Sequence, residues 1–279
     1  MSKLQLAILD LYNGIPNQGM RCIKELAERF ADEIDYQIFD VRVDGAVPKL
    51  EDFDLFISSG GPGDPREFDG WGDAYFAWLD ALWAHNQQSD DKKFLFLICH
   101  SFQMAVHHFR LAQVGARRKI SFGTFPVHLT QAGKDDPQMG ELRAIFYAAD
   151  FRRYQAIQPD KKRLEEMGAK VLCLEKKRPH VPLERAIMAI RFSDEILGTQ
   201  FHPEADSEGM LAHFSRPEIK TEVIAEHGRD KWLRMIGDLM DPRKINRTHD
   251  TVIPGFLRFA IDELYQIAAK KEEHKTISR

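Results

Sequence analysis

The sequence predicts an α/β protein with a mostly parallel sheet and helices on both of its faces. Three observations carry this expectation. Short, nearly continuous apolar runs stand at residues 4–11, 54–59 and 94–98, as strands buried on both faces require. Segments with apolar residues at helical spacing lie between them, at 18–30 and 72–85. Two of the apolar runs end in turn chemistry, Gly60-Gly61-Pro62-Gly63 and Cys99. Open parallel sheets place their sites at such carboxyl ends of strands.

Taken in order, residues 4–11 form a first strand, and 18–30 form a helix whose stripe is Met20, Ile23, Leu26, Ala27 and Phe30. Residues 36–41 read as a second strand. Asp54-Leu55-Phe56-Ile57-Ser58-Ser59 is a third, and it breaks into Gly60-Gly61-Pro62-Gly63-Asp64-Pro65. An aromatic helix follows over 72–85, then the strand 94–98 and a helix over 101–111. This alternation is the rhythm of a parallel sheet covered on both faces, of the flavodoxin-like kind. The middle of the chain is more irregular, with strands expected at 120–130, 144–147, 170–174, 186–192 and 196–201. Residues 205–250 are polar and helical in pieces, so a helical insertion is expected there. Pro254 opens a last helix with Phe256, Leu257, Ala260, Ile261, Leu264 and Ile267 on one stripe, and the charged tail from Lys270 is expected to fray.

The 279 residues suit one large α/β domain with an appendage. With 43% hydrophobic and 29% charged residues the chain reads as globular. A net charge of −4 gives no reason to expect nucleic acid or an anionic membrane as partner. The clusters Arg117-Arg118-Lys119, Arg152-Arg153 and Lys176-Lys177-Arg178 are expected on solvated loops and helix ends. There is no run of about 18 apolar residues to span a bilayer. The start, Met1-Ser2-Lys3-Leu4, lacks the apolar stretch of a signal peptide, so a cytoplasmic protein is expected. Cys22, Cys99 and Cys173 are too few and too scattered for a disulfide framework or a zinc site. His107 and His108 are helix neighbours that point about 100° apart and chelate poorly. No G-x-x-x-x-G-K-[ST] phosphate loop occurs. Neither a metal nor a cofactor is expected.

Two segments carry chemistry. Phe94-Leu95-Phe96-Leu97-Ile98-Cys99-His100-Ser101-Phe102-Gln103 puts a thiol where a buried strand turns into a helix. Gly198-Thr199-Gln200-Phe201-His202-Pro203-Glu204 puts an imidazole and a carboxylate two positions apart at another strand end. A thiol, a base and an orienting acid are the parts of a cysteine nucleophile machine. A thiol reacts as thiolate, which a helix amino terminus or a nearby imidazolium favours. The expected catalytic residues are Cys99, His202 and Glu204. The oxyanion of an acyl transfer needs donors, and backbone N–H groups serve. The N–H of His100 is one candidate and the loop at Gly61 offers the other. His100 is assigned its N–H only.

On these blocks the chain resembles the class I (triad-type) glutamine amidotransferases over roughly residues 4–204, resuming near Gly255. Ser59-Gly60-Gly61-Pro62-Gly63 resembles the family's oxyanion loop. Cys99 through Gln103 resembles its C-x-G-x-Q block, and Gln200-Phe201-His202-Pro203-Glu204 matches its Q-F-H-P-E block. The resemblance implies that Gln103 contacts the substrate, and that Gly115 and residues 123–130 form a hairpin after the nucleophile helix. The chain departs from the family where Leu97 and Ser101 replace glycines on either side of the cysteine. It departs again at Ala148-Ala149-Asp150-Phe151-Arg152-Arg153-Tyr154, where the family tends to carry a His-Ser-His or His-x-Asp stretch beside the substrate.

The resemblance implies hydrolysis of glutamine or a related γ-glutamyl amide through a thioester on Cys99, with ammonia passed to a synthetase partner in trans or released. Two alternatives stay open: a γ-glutamyl peptide hydrolase on the same fold, and a non-catalytic relative that binds a metabolite or partner. The expected organisation is a catalytic domain over 1–204, a helical insertion over 205–250 near the active-site mouth, and a closing helix with charged tail over 251–279.

Overall fold

A computed structural model describes residues 3–68, 70–178 and 184–277, with the side chains of 274–277 left aside. The expected fraying of the tail falls partly outside the described residues. The first half alternates strand and helix: β1 (Leu4–Asp10), α1 (Gln18–Glu28), β2 (Ile34–Asp40), β3 (Leu55–Ser58), α2 (Trp71–Gln88), β4 (Phe94–Ile98) and α3 (His100–His108). The middle holds β5 (Ala112–Ser121), β6 (Thr124–Leu129), α4 (Gln131–Asp135), β7 (Ile145–Ala149), β8 (Arg152–Pro159), α5 (Lys161–Met167), β9 (Lys170–Glu175), β10 (Ile187–Arg191) and β11 (Ile196–Thr199). Helices α6 (Ser207–Phe214), α7 (Pro217–His227), α8 (Arg229–Met240) and α9 (Ile245–Ile277) complete the chain.

The sheet runs in the order β2-β1-β3-β4-β11-β10-β9-β6-β7, with β5 and β8 paired beside β10. From β2 to β11 every neighbour is parallel. From β10 onward the pairs are antiparallel. Every residue of β3, β4, β10 and β11 is buried, which explains their largely apolar sequence. One core joins the sheet to α1 and α9, through residues such as Ile23, Leu26, Phe256 and Ile261. A second joins the opposite face to α2 and α3, through Tyr75, Trp78, Phe102 and Val106. The fold is therefore the mostly parallel α/β layer arrangement that the apolar runs predict. Among the described residues no helix is long and apolar enough to cross a membrane.

Four expectations need correction. The stretch 120–130 is not one strand, because the backbone breaks after Ser121 and turns at Gly123, whose φ is +111°. Glycine alone adopts that conformation without strain. Nor do Gly115 and residues 123–130 form a hairpin: β5 pairs with β8, and β6 with β7 and β9. Of the cluster residues, Arg152 is buried and Arg117 is mostly covered, rather than solvated. Arg152 reaches Asp150 at 2.9 Å and Glu175 at 3.5 Å, and Arg117 meets Glu175 at 2.9 Å, so each buried cation has a carboxylate partner. Finally, Pro254 lies inside α9 rather than at its start. A proline interrupts one helical hydrogen bond, and tertiary anchors before it hold the helix on course. Val252 and Ile253 are fully buried, Thr248 donates to the Tyr147 carbonyl at 2.6 Å, and Arg29 meets Asp250 at 3.1 Å.

Candidate active site

Cys99 occupies the sharp turn between β4 and α3 with φ +48° and ψ −90°. A side chain held at positive φ is strained, and such strain collects at functional turns. The turn is fixed on both sides. The Cys99 N–H donates to the Thr199 carbonyl at 2.7 Å on the adjacent β11. The hydroxyl of Ser101 accepts from the Ile98 N–H at 2.9 Å and donates to the Ser58 carbonyl at 2.8 Å on β3. Ser101, which stands where the family carries glycine, thus ties the turn to its neighbour. Leu97, at the other missing glycine, faces Gly198 in the parallel register. A Cβ on Gly198 would come within 3.2 Å of the Leu97 Cβ and 2.8 Å of the Phe102 ring.

The loop after β3 is seated as firmly. Ser59 donates its hydroxyl to the Gly60 carbonyl at 2.8 Å and accepts the Leu11 N–H at 2.9 Å. A Cβ at Gly61 would meet the Leu11 carbonyl oxygen at 2.6 Å, so only glycine lets the loop lie there. At Gly60 a Cβ would fall 3.0 Å from Cε1 of His202 and 2.9 Å from the Tyr12 hydroxyl. Gly60, Tyr12 and His202 therefore converge. Strand order explains it: β4 lies between β3 and β11, so the loop and the His202 segment flank Cys99 from either side.

His202 donates its Nδ1–H to Glu204 Oε1 at 2.7 Å, and its backbone N–H donates to the Ala149 carbonyl at 2.9 Å. The Glu204 side chain is almost wholly buried. Burial disfavours a charged imidazole, but the Glu204 carboxylate, then the Cys99 sulfur, outweigh it and hold the His202 pKa well above that of an ordinary histidine. The other carboxylate oxygen of Glu204 is buried with no hydrogen-bond partner. The structure also brings in two residues that the motifs do not contain. His249 of α9 takes the Arg29 guanidinium at 2.8 Å on Nε2, which leaves Nδ1–H to donate to the Glu204 carbonyl at 2.9 Å. Tyr12, at the end of β1, has its hydroxyl pKa raised by burial and by the nearby Glu204 and Cys99. A polar residue in an otherwise apolar strand end is the only sequence signal for Tyr12; His249 has none.

The remaining predicted positions separate. Gly61 lines the cavity that holds Cys99, His202 and Glu204; Gln103 and the His100 side chain do not. The Gln103 amide donates to Gln200 at 2.8 Å, and the Gln200 amide in turn approaches the Cys99 sulfur at 3.6 Å. Gln103 thus supports the nucleophile from behind. The His100 imidazole, buried, accepts from Arg42 at 2.7 Å. Burial, then the Arg42 charge, pushes its pKa down to about 3, so it stays neutral. Its N–H remains at the start of α3, beside Cys99.

The cavity has a volume of about 530 Å³. Its far wall comes from α6, from the turn between β5 and β6 and from the turn between β7 and β8, with Met210, Phe214, Phe122 and Phe151. The helices α6, α7 and α8 share a small core of their own around Phe214, Val223, Met235 and Leu239. Charged groups on the wall are already engaged: Arg21 of α1 pairs with Asp206 and with Glu25. Cys22, also on the wall, has its thiol pKa pushed up to about 12 by burial and by Asp206, so it stays protonated. Among the described residues no group of acidic, histidine and cysteine side chains could hold a metal ion.

Residues 8–217 match the family Glutamine amidotransferase class-I, and the chain belongs to it. No curated protein matches the chain. Among solved structures it is similar to SMU.1228c, at 20% identity and a TM-score of 0.63, over 92% of this chain and 99% of that one. It is similar also to a glutamine amidotransferase from Thermotoga maritima, at 12% identity and a TM-score of 0.65, over 94% and 99%. The glutaminase domain of Trypanosoma brucei CTPS, solved with bound acivicin, matches at 15% identity and a TM-score of 0.56, over 72% and 86%. At these identities the likeness is one of fold.

Proposed function

We propose that this protein hydrolyses a γ-glutamyl amide, glutamine being the simplest, through a thioester on Cys99. The observation that carries the reading is the buried Glu204–His202 pair at 2.7 Å beside a cysteine held at positive φ. In the state with the proton on His202 and the sulfur as thiolate, Glu204 and Cys99 flank the imidazolium. The thiolate attacks the amide carbon and a C–S bond forms. The oxyanion is received by the N–H groups of Gly61 and His100. His202 gives its proton to the leaving nitrogen as the C–N bond breaks. Water, deprotonated by His202, then cleaves the thioester to the free γ-carboxylate and restores the thiol. Glu204 fixes the imidazole and is fixed in turn through its carbonyl by His249.

On this reading residues 1–204 form the catalytic unit, 205–244 an insertion at its mouth, and α9, which starts at Ile245 rather than at 251, the closing helix. The ammonia released would pass to a synthetase partner in trans or into solution. Incubation with glutamine tests the reading. Glutamate should accumulate, and Cys99→Ser should lower the rate by about 10⁴–10⁶-fold. Activity that survives Cys99→Ser contradicts the assignment; full-length folded protein with no hydrolysis and no thiol labelling favours the non-catalytic alternative.

A further inference from the structure

Ammonia is the smallest leaving group an amide can have, and it needs no apolar wall. The cavity before Cys99 nevertheless has one. The Phe151 ring lies with its centroid 6.3 Å from that of His202. Phe122 meets Phe151 edge-on at 5.1 Å, and Phe214 stacks on it at 6.0 Å. Met210 and Ile15 extend the surface, and Ile15 is 58% exposed at the rim. Phe122 and Phe151 are only partly buried, so ring surface stays open to the cavity. Phe151 falls in the stretch where the chain departs from its family.

The side of the cavity follows from the chemistry. The group that protonates the leaving nitrogen must be within hydrogen-bond reach of it. That group is His202, so a substituent on the nitrogen emerges on the His202 side, against Phe151. The cavity volume of about 530 Å³ is in the range that takes ligands well above the size of glutamine. Polarity narrows the choice further. A peptide leaving group would bring a carboxylate, but Arg21, the cation on the wall, is held by Asp206, Glu25 and Gln18. A polyamine would bring positive charge to a wall whose carboxylate, Asp206, is already paired with Arg21.

We infer that the preferred substrate is the γ-glutamyl amide of a primary amine with one aromatic or similarly large apolar group, seated on Phe151, Phe122 and Phe214. This rests on the thioester reading above. The step balances as before: the C–S bond forms, the C–N bond breaks, and the amine leaves with the proton from His202. Water then supplies the hydroxyl of glutamate.

The test compares glutamine, γ-glutamyl methylamide and γ-glutamyl benzylamide as substrates of the whole protein. Ammonia and benzylamine are of closely similar basicity, so the chemical step is matched and the ring is the variable. Burying the ring should raise kcat/KM of the benzylamide about 10- to 100-fold over glutamine. In Phe151→Leu and Phe122→Leu that ratio should fall at least several-fold. Should either variant fail to fold, inhibition of the wild type by benzylamine against methylamine gives the same comparison, with benzylamine at least tenfold stronger. Hydrolysis of glutamine as fast as of the benzylamide overturns the inference and leaves the thioester reading standing. No hydrolysis of any of the three, with no labelling of Cys99 by a glutamine-like electrophile, overturns both.

Discussion

The two walls of the cavity differ in how they are held. The reacting wall is made by the ends of β3, β4 and β11, strands whose every residue is buried between two extensive cores. The opposite wall leans on α6, α7 and α8, which share a core of a few side chains around Phe214 and Met235. Each group in the reacting wall has a fixed partner: Ser101 on Ser58, Ser59 on Leu11, Glu204 on His249. In the opposite wall the rings of Phe122, Phe151 and Phe214 touch one another, and Phe122 stacks on His227 at 4.4 Å. Positions set to within a fraction of an ångström matter for bond making, whereas an apolar pocket tolerates changes of shape. On the proposed reading the chemistry and the choice of substrate are carried by separate parts of the chain.

That contrast can be broken most sharply at Glu204. Glu204→Gln keeps the shape but removes the charge that raises the His202 pKa, and kcat should fall by about 10³–10⁴-fold. The imidazole pKa should fall with it, visible by NMR titration. A loss within tenfold would mean that the reacting wall does not depend on this carboxylate. Next in size is Gly61→Ala. Its Cβ would sit 2.6 Å from the Leu11 carbonyl, so the loop must shift and one oxyanion donor with it. A loss of about 10²–10³-fold in kcat with little change in KM is expected. Wild-type kinetics in this variant would remove Gly61 from the oxyanion site.

Smaller effects belong to stability. His100 is neutral in the fold, with its pKa down to about 3 through burial and then Arg42. In the unfolded chain it titrates near ~6.5. As pH falls between these values the unfolded state takes up the proton first. The stability contribution is complete above about pH 6.5 and is lost progressively toward pH ~3, by up to about 1.4 kcal/mol per pH unit. Denaturant midpoints at about pH 7, 5 and 4 should fall less steeply in His100→Gln than in the wild type. Equal slopes would show that the buried imidazole is not the source. Ser101→Ala removes the hydroxyl that bonds both the Ile98 N–H and the Ser58 carbonyl in the buried turn. It should cost about 1–3 kcal/mol of stability, read from the same denaturant curves. A neutral result would mean that the serine merely fills the place of the family's glycine.

The same contrast explains what the sequence made legible. Strands buried on both faces must be apolar throughout, so β1, β3 and β4 stand out as runs, and the turns that end them expose Gly61 and Cys99 directly. Local patterns fail where partners are distant. Arg152-Arg153-Tyr154 begins β8, yet its charges read as loop because the burial of Arg152 depends on Asp150 and Glu175, and the latter lies far along the chain. Pro254 reads as a helix start because the anchors that carry α9 through it, Tyr147 and Arg29, lie far away in sequence. Likewise Phe151 looks like a departure from a motif until Phe122 and Phe214 are seen beside it. Gln103 illustrates the converse: its motif position is as expected, but its amide is spent on Gln200 and stays off the cavity.

The most direct test of the account is to catch the acyl-enzyme. Protein mixed with γ-glutamyl amide, quenched in acid within the first turnover and digested, should show one added glutamyl group on the peptide that carries Cys99. Cys22 and Cys173 should remain unmodified, since burial raises both thiols well above the usual range. Hydrolysis that proceeds with no adduct on Cys99, or with the adduct on another residue, would contradict the thioester mechanism.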